Sequence, residues 1–237
     1  MMLEKLTLGE TPKIVLSVRD NDQIVRTSRP RRARCPRLFD LVELRVDLFT
    51  SLESDALLRM AIPTILTARS KKEGGGFQGS ELKRLSLYQK MIPLVSTVDI
   101  ELSAKTILGD VIDNAHDQKK KVIVSYHDFD KTPSVIKLEK ILKKAKASGA
   151  DIVKVATFAK DHRDIQRLAQ FTVANANQNI VTIAMGEIGA LSRLFFPALG
   201  SLLIYGSFSS KDKDKTGPGQ IDCKELSRLI KRFYPKS

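Results

Sequence analysis

Lys154 lies inside Asp151-Ile152-Val153-Lys154-Val155-Ala156, a β-branched run with the character of a buried parallel strand. Lysine is seldom fully buried unless it is paired or employed, and burial lowers an amine's pKa. An amine partly neutral near pH 7 can attack a carbonyl to form a Schiff base. The plain alternative is a lysine whose stem packs on apolar neighbours while its head reaches water at a strand end. His127 closes an earlier run, Ser125-Tyr126-His127-Asp128-Phe129. Most lone histidines are structural. One at a strand terminus, a single crossover before the lysine, suits acid–base work near neutral pH. His116 and His162 stand in polar helix or loop contexts and receive no role.

Further polar residues collect at the ends of apolar runs. Glu43, Arg45 and Asp47 alternate with Leu44, Val46 and Leu48, which sends all three to one face of a strand. Two carboxylates and a guanidinium inside a fold are costly unless they pair or bind a ligand, so a structural ion-pair layer is the competing reading. Thr67 and Arg69 precede Glu73-Gly74-Gly75-Gly76, a loop with little backbone restraint, and Arg69 can offer its fork to an oxygen-rich ligand. Met185-Gly186-Glu187-Ile188-Gly189 leads to Ser192-Arg193, where two glycines and an arginine at a helix start suit a carboxylate or phosphate. The segment Ser209 to Gln220 is long, charged and broken by Gly217-Pro218-Gly219, the pattern of a lid.

What must position these residues is visible as a repeat. Apolar runs occur at Lys13–Val18, Leu41–Phe49, Pro63–Arg69, Leu94–Leu102, Lys121–Phe129, Asp151–Phe158, Ile180–Met185 and Ser201–Phe208. Polar stretches of helical spacing separate them, as in Val135-Ile136-Leu138-Ile141-Leu142-Ala145 ahead of Ser148-Gly149. Strands alternating with helices imply parallel pairing through crossovers. Eight units within 237 residues predict a closed (β/α)8 TIM barrel, one catalytic domain over residues 1–237, with chemistry at the C-terminal strand ends. An open doubly wound sheet is the alternative, but Ser17-Val18-Arg19-Asp20-Asn21-Asp22 lacks the glycine-rich phosphate turn that fold uses. Residues 1–12 read as a short plug or hairpin at the barrel bottom. The first helix, about Gln23 to Asp40, holds Pro30 and Pro36 and is expected to be broken, short or displaced. Its arginines, Arg29 to Arg37, read as a solvated face.

Composition bounds the function. Hydrophobic residues make up 42% and charged residues 28%, as in an ordinary globular protein. No apolar stretch approaches the ~18 residues of a membrane span. The N-terminus lacks a signal-peptide pattern, so the reading is cytoplasmic. Cys35 and Cys223 are too few for a disulfide framework, lack metal-type spacing, and fall at no strand end where a nucleophile would work. The net charge of +13 is spread along the chain, aromatics are 6% and tryptophan is absent. General basicity that helps gather an anionic small substrate therefore fits better than a nucleic-acid platform.

Taken in order, Glu43-Leu44-Arg45-Val46-Asp47, Thr67-Ala68-Arg69 with Glu73-Gly74-Gly75, Val124-Ser125-Tyr126-His127-Asp128-Phe129, Val153-Lys154-Val155-Ala156, Met185-Gly186-Glu187 with Ser192-Arg193, and Gly217-Pro218-Gly219-Gln220 resemble the type I 3-dehydroquinate dehydratases over nearly the whole chain. The resemblance implies a (β/α)8 barrel, usually a homodimer, that performs the third step of the shikimate pathway without metal or other cofactor. It implies that Lys154 forms an imine with the C3 ketone and that His127 moves the C2 proton to the departing C1 hydroxyl. Glu73 would orient the histidine, and Arg193 would clamp the substrate carboxylate. Ser17, Glu43, Arg45, Arg69, Met185, Tyr205, Thr216 and Gln220 would bind or position the rest of 3-dehydroquinate. The chain departs from the family pattern at Thr216-Gly217, where Ser-Ala is frequent, at Tyr205, where phenylalanine is common, and at Ile183, where a second methionine is common. Two rivals stay open on sequence. One is a class I aldolase or transaldolase, which also uses a strand-borne lysine. The other is a basic barrel that binds nucleic acid without catalysis.

Overall fold

The computed structural model describes residues 12–28, 38–51 and 62–234. The expected plug before residue 12, the Arg29 to Arg37 cluster and Cys35 lie outside the described residues. Eight strands carry the fold: β1 (Lys13–Val18), β2 (Leu41–Arg45), β3 (Thr64–Thr67), β4 (Thr97–Glu101), β5 (Lys121–Asp128), β6 (Ile152–Phe158), β7 (Ile180–Met185) and β8 (Leu203–Gly206). They run parallel in the order β7-β6-β5-β4-β3-β2-β1-β8. The Leu202 N–H donates to the Ile180 carbonyl across the β7/β8 seam at 2.9 Å, which brings the two ends of the sheet together. The fold is a (β/α)8 barrel, as the strand–helix alternation predicts.

Among the described residues the helices are α1 (Asn21–Ser28), α2 (Glu81–Met91), α3 (Leu108–Asp117), α4 (Val135–Ala147), α5 (His162–Ala174), α6 (Ser192–Phe195) and α7 (Cys223–Phe233). Their starts are chemically marked. Ser80, Ser134, Asp161 and Asp222 each accept a backbone N–H from the first turn, which satisfies a donor the helix leaves open. The described part of the first helix is short, eight residues beginning at Asn21. None of these helices is long and apolar enough to cross a membrane.

Period-two alternation builds the interior in two layers. Val15, Leu41, Ile65, Ile123, Ile152, Val181 and Leu203, near the N-terminal ends of their strands, are buried together inside the barrel. Two residues further along the same strands, on the same face, come Ser17, Glu43, Thr67, Ser125, Lys154, Ile183 and Tyr205. An apolar floor thus carries a mostly polar layer towards the C-terminal mouth. The outer strand faces pack against the helices in a separate, larger apolar cluster.

One boundary differs from expectation. β2 pairs with β3 only as far as Arg45 opposite Thr67, and the chain then turns into a single 3-10 turn, Val46–Leu48. Asp47 therefore does not continue the strand face. It folds back onto Arg45 instead.

Candidate active site

Glu43 is fixed from below. Ser17 Oγ donates to its Oε2 at 2.7 Å and Thr67 Oγ1 to its Oε1 at 3.0 Å. That places Glu43 Oε1 3.6 Å from Lys154 Nζ. A second carboxylate, Asp99 on β4, lies closer, with Oδ2 3.1 Å from the same nitrogen. Asp99 Oδ1 accepts from Arg69 Nη2 at 2.8 Å and from Ser125 Oγ at 2.7 Å. Burial alone would raise the Asp99 pKa, but Arg69 and Lys154 outweigh it and hold the carboxyl well below the usual range. The ring of Tyr205 completes the nest, its centroid 4.0 Å from Nζ. Only 6% of the Lys154 side chain is exposed. It is buried because it is paired.

His127, on β5, stands beside this lysine. Its Nδ1 lies 2.9 Å from Glu73 Oε2, and its backbone N–H donates to the same oxygen at 2.9 Å. Ser103 Oγ donates to Glu73 Oε1. Glu73 sits in a one-turn 3-10 helix closed by Gly74, whose φ of 74° belongs to the left-handed region that glycine occupies without penalty. Burial pushes the Glu73 carboxyl up to about 7, against the pull of Ser103 and Arg69. Burial, with Arg69 and Lys154 as positive neighbours, holds the His127 imidazolium well below its ordinary range. A neutral imidazole giving its Nδ1 proton to Glu73 keeps a free lone pair on Nε2. That is the form of a base.

Arg193 on α6 occupies the opposite wall. Nε donates to the Gly219 carbonyl at 2.7 Å, Nη1 to Tyr205 at 3.1 Å and Nη2 to Pro218 at 2.9 Å. No carboxylate lies within ion-pair distance of it among the described residues. Its burial without a counter-ion lowers its pKa to about 10, which leaves the guanidinium charged at pH 7. These bonds also tie down the loop after β8. Gly219 has a φ of 72°, and a Cβ there would meet the Gly186 carbonyl at 2.3 Å, so this crossing of two loops requires glycine. Arg45 Nη1 donates to the Thr216 carbonyl at 3.3 Å, and Thr216 N–H to Gln220 Oε1 at 2.6 Å. Gln220, which closes this loop, is buried.

These groups line one cleft with an empty volume of about 490 Å³. Glu43, Arg45, Arg69, Glu73, His127, Lys154, Met185, Arg193, Tyr205, Thr216 and Gln220 all border it, joined by Phe129, Ala156 and Ile183. Ser17 does not. It is fully buried under Glu43, so its place is to orient that carboxylate rather than to touch a ligand. Arg69 borders the cleft with one N–H of each terminal nitrogen bonded, to Ser125 and to Asp99, and further N–H donors left over. Sequence reasoning missed Asp99, Glu101, Ser103 and Ser125. The signal was present in Thr97-Val98-Asp99-Ile100-Glu101, where charged and apolar residues alternate as they do in Glu43-Leu44-Arg45-Val46-Asp47.

The fold and the cleft define a barrel enzyme with a buried lysine and a carboxylate-held histidine at its C-terminal mouth. Residues 24–236 match the family model described as Type I 3-dehydroquinase. A 3-dehydroquinate dehydratase of Methanococcoides burtonii is 33% identical over 94% of this chain and 95% of its own length. Another from Methanocella arvoryzae is 37% identical over 79% of this chain and 84% of its own. A crystal structure of the type I 3-dehydroquinate dehydratase of Clostridium difficile, with covalently modified comenic acid, superposes with a TM-score of 0.85 at 28% identity, covering 99% of this chain and 97% of that one. The chain belongs to the type I 3-dehydroquinase family.

Proposed function

We propose that this chain carries out its family's hydro-lyase step, the dehydration of 3-dehydroquinate to 3-dehydroshikimate in the shikimate pathway, through an imine on Lys154. Lys154 Nζ adds to the C3 ketone, and loss of water gives a protonated imine. That cation is an electron sink, so the neighbouring C2 proton becomes acidic. His127 Nε2 removes it, leaving an enamine. The enamine expels the C1 hydroxyl, which leaves as water with the proton from His127. Water then hydrolyses the conjugated imine, freeing the product and restoring the amine.

The remaining residues bind and orient. Glu73 keeps Nδ1 of His127 protonated and turns Nε2 to the substrate. Arg193, with no anion of its own, takes the carboxylate. Its three carbonyl bonds leave the cation uncompensated, and a bound carboxylate supplies the missing charge. Glu43, Arg45, Met185, Tyr205, Thr216 and Gln220 surround the ring and its hydroxyls. Ser17 acts through Glu43, and Arg69, while holding Asp99, keeps further N–H donors for the substrate's oxygens. A cytoplasmic homodimer of single-domain subunits over residues 1–237, the form the resemblance implies, belongs to the same proposal. The covalently modified ligand of the Clostridium difficile relative supports the covalent route.

The observation that carries this reading is one cleft that joins a buried amine, a neutral imidazole held by a carboxylate, and a guanidinium without an anion. The test is incubation with 3-dehydroquinate while following the ultraviolet absorbance of a conjugated enone. A rise that scales with enzyme supports the proposal. A flat trace with folded protein would return the aldolase reading.

A further inference from the structure

Tyr205 combines two features that the reaction scheme leaves unused. Its ring face lies 4.0 Å from Lys154 Nζ, the atom that would form the covalent bond. Its hydroxyl is buried and has no hydrogen-bond partner among the described residues. A phenol kept in such a place for its hydroxyl would be expected to use it. What is engaged is the ring.

An ammonium has three N–H donors and can serve Asp99, Glu43 and a third acceptor at once. A protonated imine keeps its positive charge but has a single N–H. Of the two carboxylates near Nζ, Asp99 at 3.1 Å and Glu43 at 3.6 Å, at most one can then hold a hydrogen bond. A ring face attracts the cation through its quadrupole and does not depend on the number of N–H groups. Tyr205 is therefore a neighbour whose hold on this nitrogen outlasts the change from amine to imine. Besides Asp99 on β4 and Glu43 on β2, the charged or titratable side chains near this nitrogen among the described residues include Arg69, just beyond β3, and His127 on β5, and neither offers it a negative charge.

We infer that the aromatic face of Tyr205 is a catalytic element that stabilises the protonated imine, and that its hydroxyl is dispensable for this. The inference rests on the Schiff-base reading. It assigns a task to the ring, so phenylalanine serves equally at this position, while an aliphatic residue of similar bulk does not.

The experiment replaces Tyr205 with phenylalanine and then with mono-, di- and trifluorophenylalanine, which weaken the ring's attraction for a cation with little change of shape. Two quantities are read, kcat and the amount of substrate adduct trapped by borohydride at saturating 3-dehydroquinate. Tyr205→Phe is the starting point of the series and is compared with wild type in both quantities. Each added fluorine is expected to lower both quantities stepwise, and Tyr205→Leu to lower kcat about tenfold or more, the worth of a desolvated cation–π contact. A flat response across the fluorinated series overturns the inference, whatever Tyr205→Leu does to folding. So does a Tyr205→Phe enzyme with most of its activity gone. Failure of the Schiff-base reading would look different, with no adduct trapped in the wild-type enzyme.

Discussion

The two walls of the cleft are built on opposite principles. On the side of β2 to β6 every charge is answered. Lys154 meets Asp99 and Glu43, Arg69 meets Asp99 and Ser125, Arg45 meets Asp47, and His127 meets Glu73. On the side of β7 and β8, among the described residues, Arg193 has only backbone carbonyls and the Tyr205 hydroxyl has no partner. A saturated network needs no ligand to be stable, and it holds reactive groups in one geometry before substrate arrives. A wall with an uncompensated cation is completed by binding. The difference teaches a division of labour, with the reacting groups on the first wall and recognition on the second, where the ring of Tyr205 alone reaches across to the reacting nitrogen.

Mutations on the two walls should therefore fail in different ways. The largest effect belongs to Lys154→Ala, which removes the nucleophile. Turnover of 3-dehydroquinate should disappear, and activity comparable to wild type would end the division at once. Next is His127→Ala, expected to lower kcat by ~10²–10⁴, the usual worth of a positioned acid–base group, while the imine still forms. A kcat within threefold of wild type would mean that another group moves the proton. Arg193→Lys tests the other wall. Lysine keeps the charge but not the fork, so the Michaelis constant should rise by roughly 10- to 100-fold with kcat changed much less, as befits a charge-assisted bond lost in binding. A mutant that loses kcat at an unchanged Michaelis constant would place Arg193 among the chemical groups and erase the distinction.

A smaller effect concerns pH. Burial raises the Glu73 carboxyl to about 7, so it takes up a proton as pH falls through that value. Once protonated, it donates a hydrogen bond to Nδ1 of His127, the ring's single proton must then sit on Nε2, and the base is lost. The kcat profile should therefore fall on the acid side near pH 7. Ser103→Ala removes a donor that favours the ionised form, so this limb should move up by about half to one pH unit, and Ser103→Thr should restore it. An acid limb that stays put, or one that moves down, would show that Ser103 does not govern Glu73.

Much of the first wall was legible in the sequence, because strand periodicity says which residues share a face. Lys154, His127 and Glu43 were found that way, as was the eight-strand frame. The ion pairs were not legible, since they join strands far apart in sequence and depend on register. Asp99 faces Lys154 across 55 positions, and the alternation in its own run says nothing of that pairing. The same limit hid the partners of Arg69, which borders the cleft as read but also holds Asp99 and Ser125. Asp47 shows a local failure. Alternation continued past Arg45, but strand pairing did not, and the chain turned. On the second wall the glycines and Arg193 at a helix start signalled an anion site, the place of Tyr205 came from the resemblance, and the three carbonyl bonds to Arg193 followed only from the crossing of the two loops.

The central claim is that Lys154 is the nucleophile. Borohydride added to enzyme and 3-dehydroquinate, followed by digestion and peptide mass analysis, tests it most directly. The account predicts a stable mass increment on the peptide that contains Lys154 and none in the Lys154→Ala protein. An increment on a different lysine, or full turnover with no trappable adduct, would contradict it.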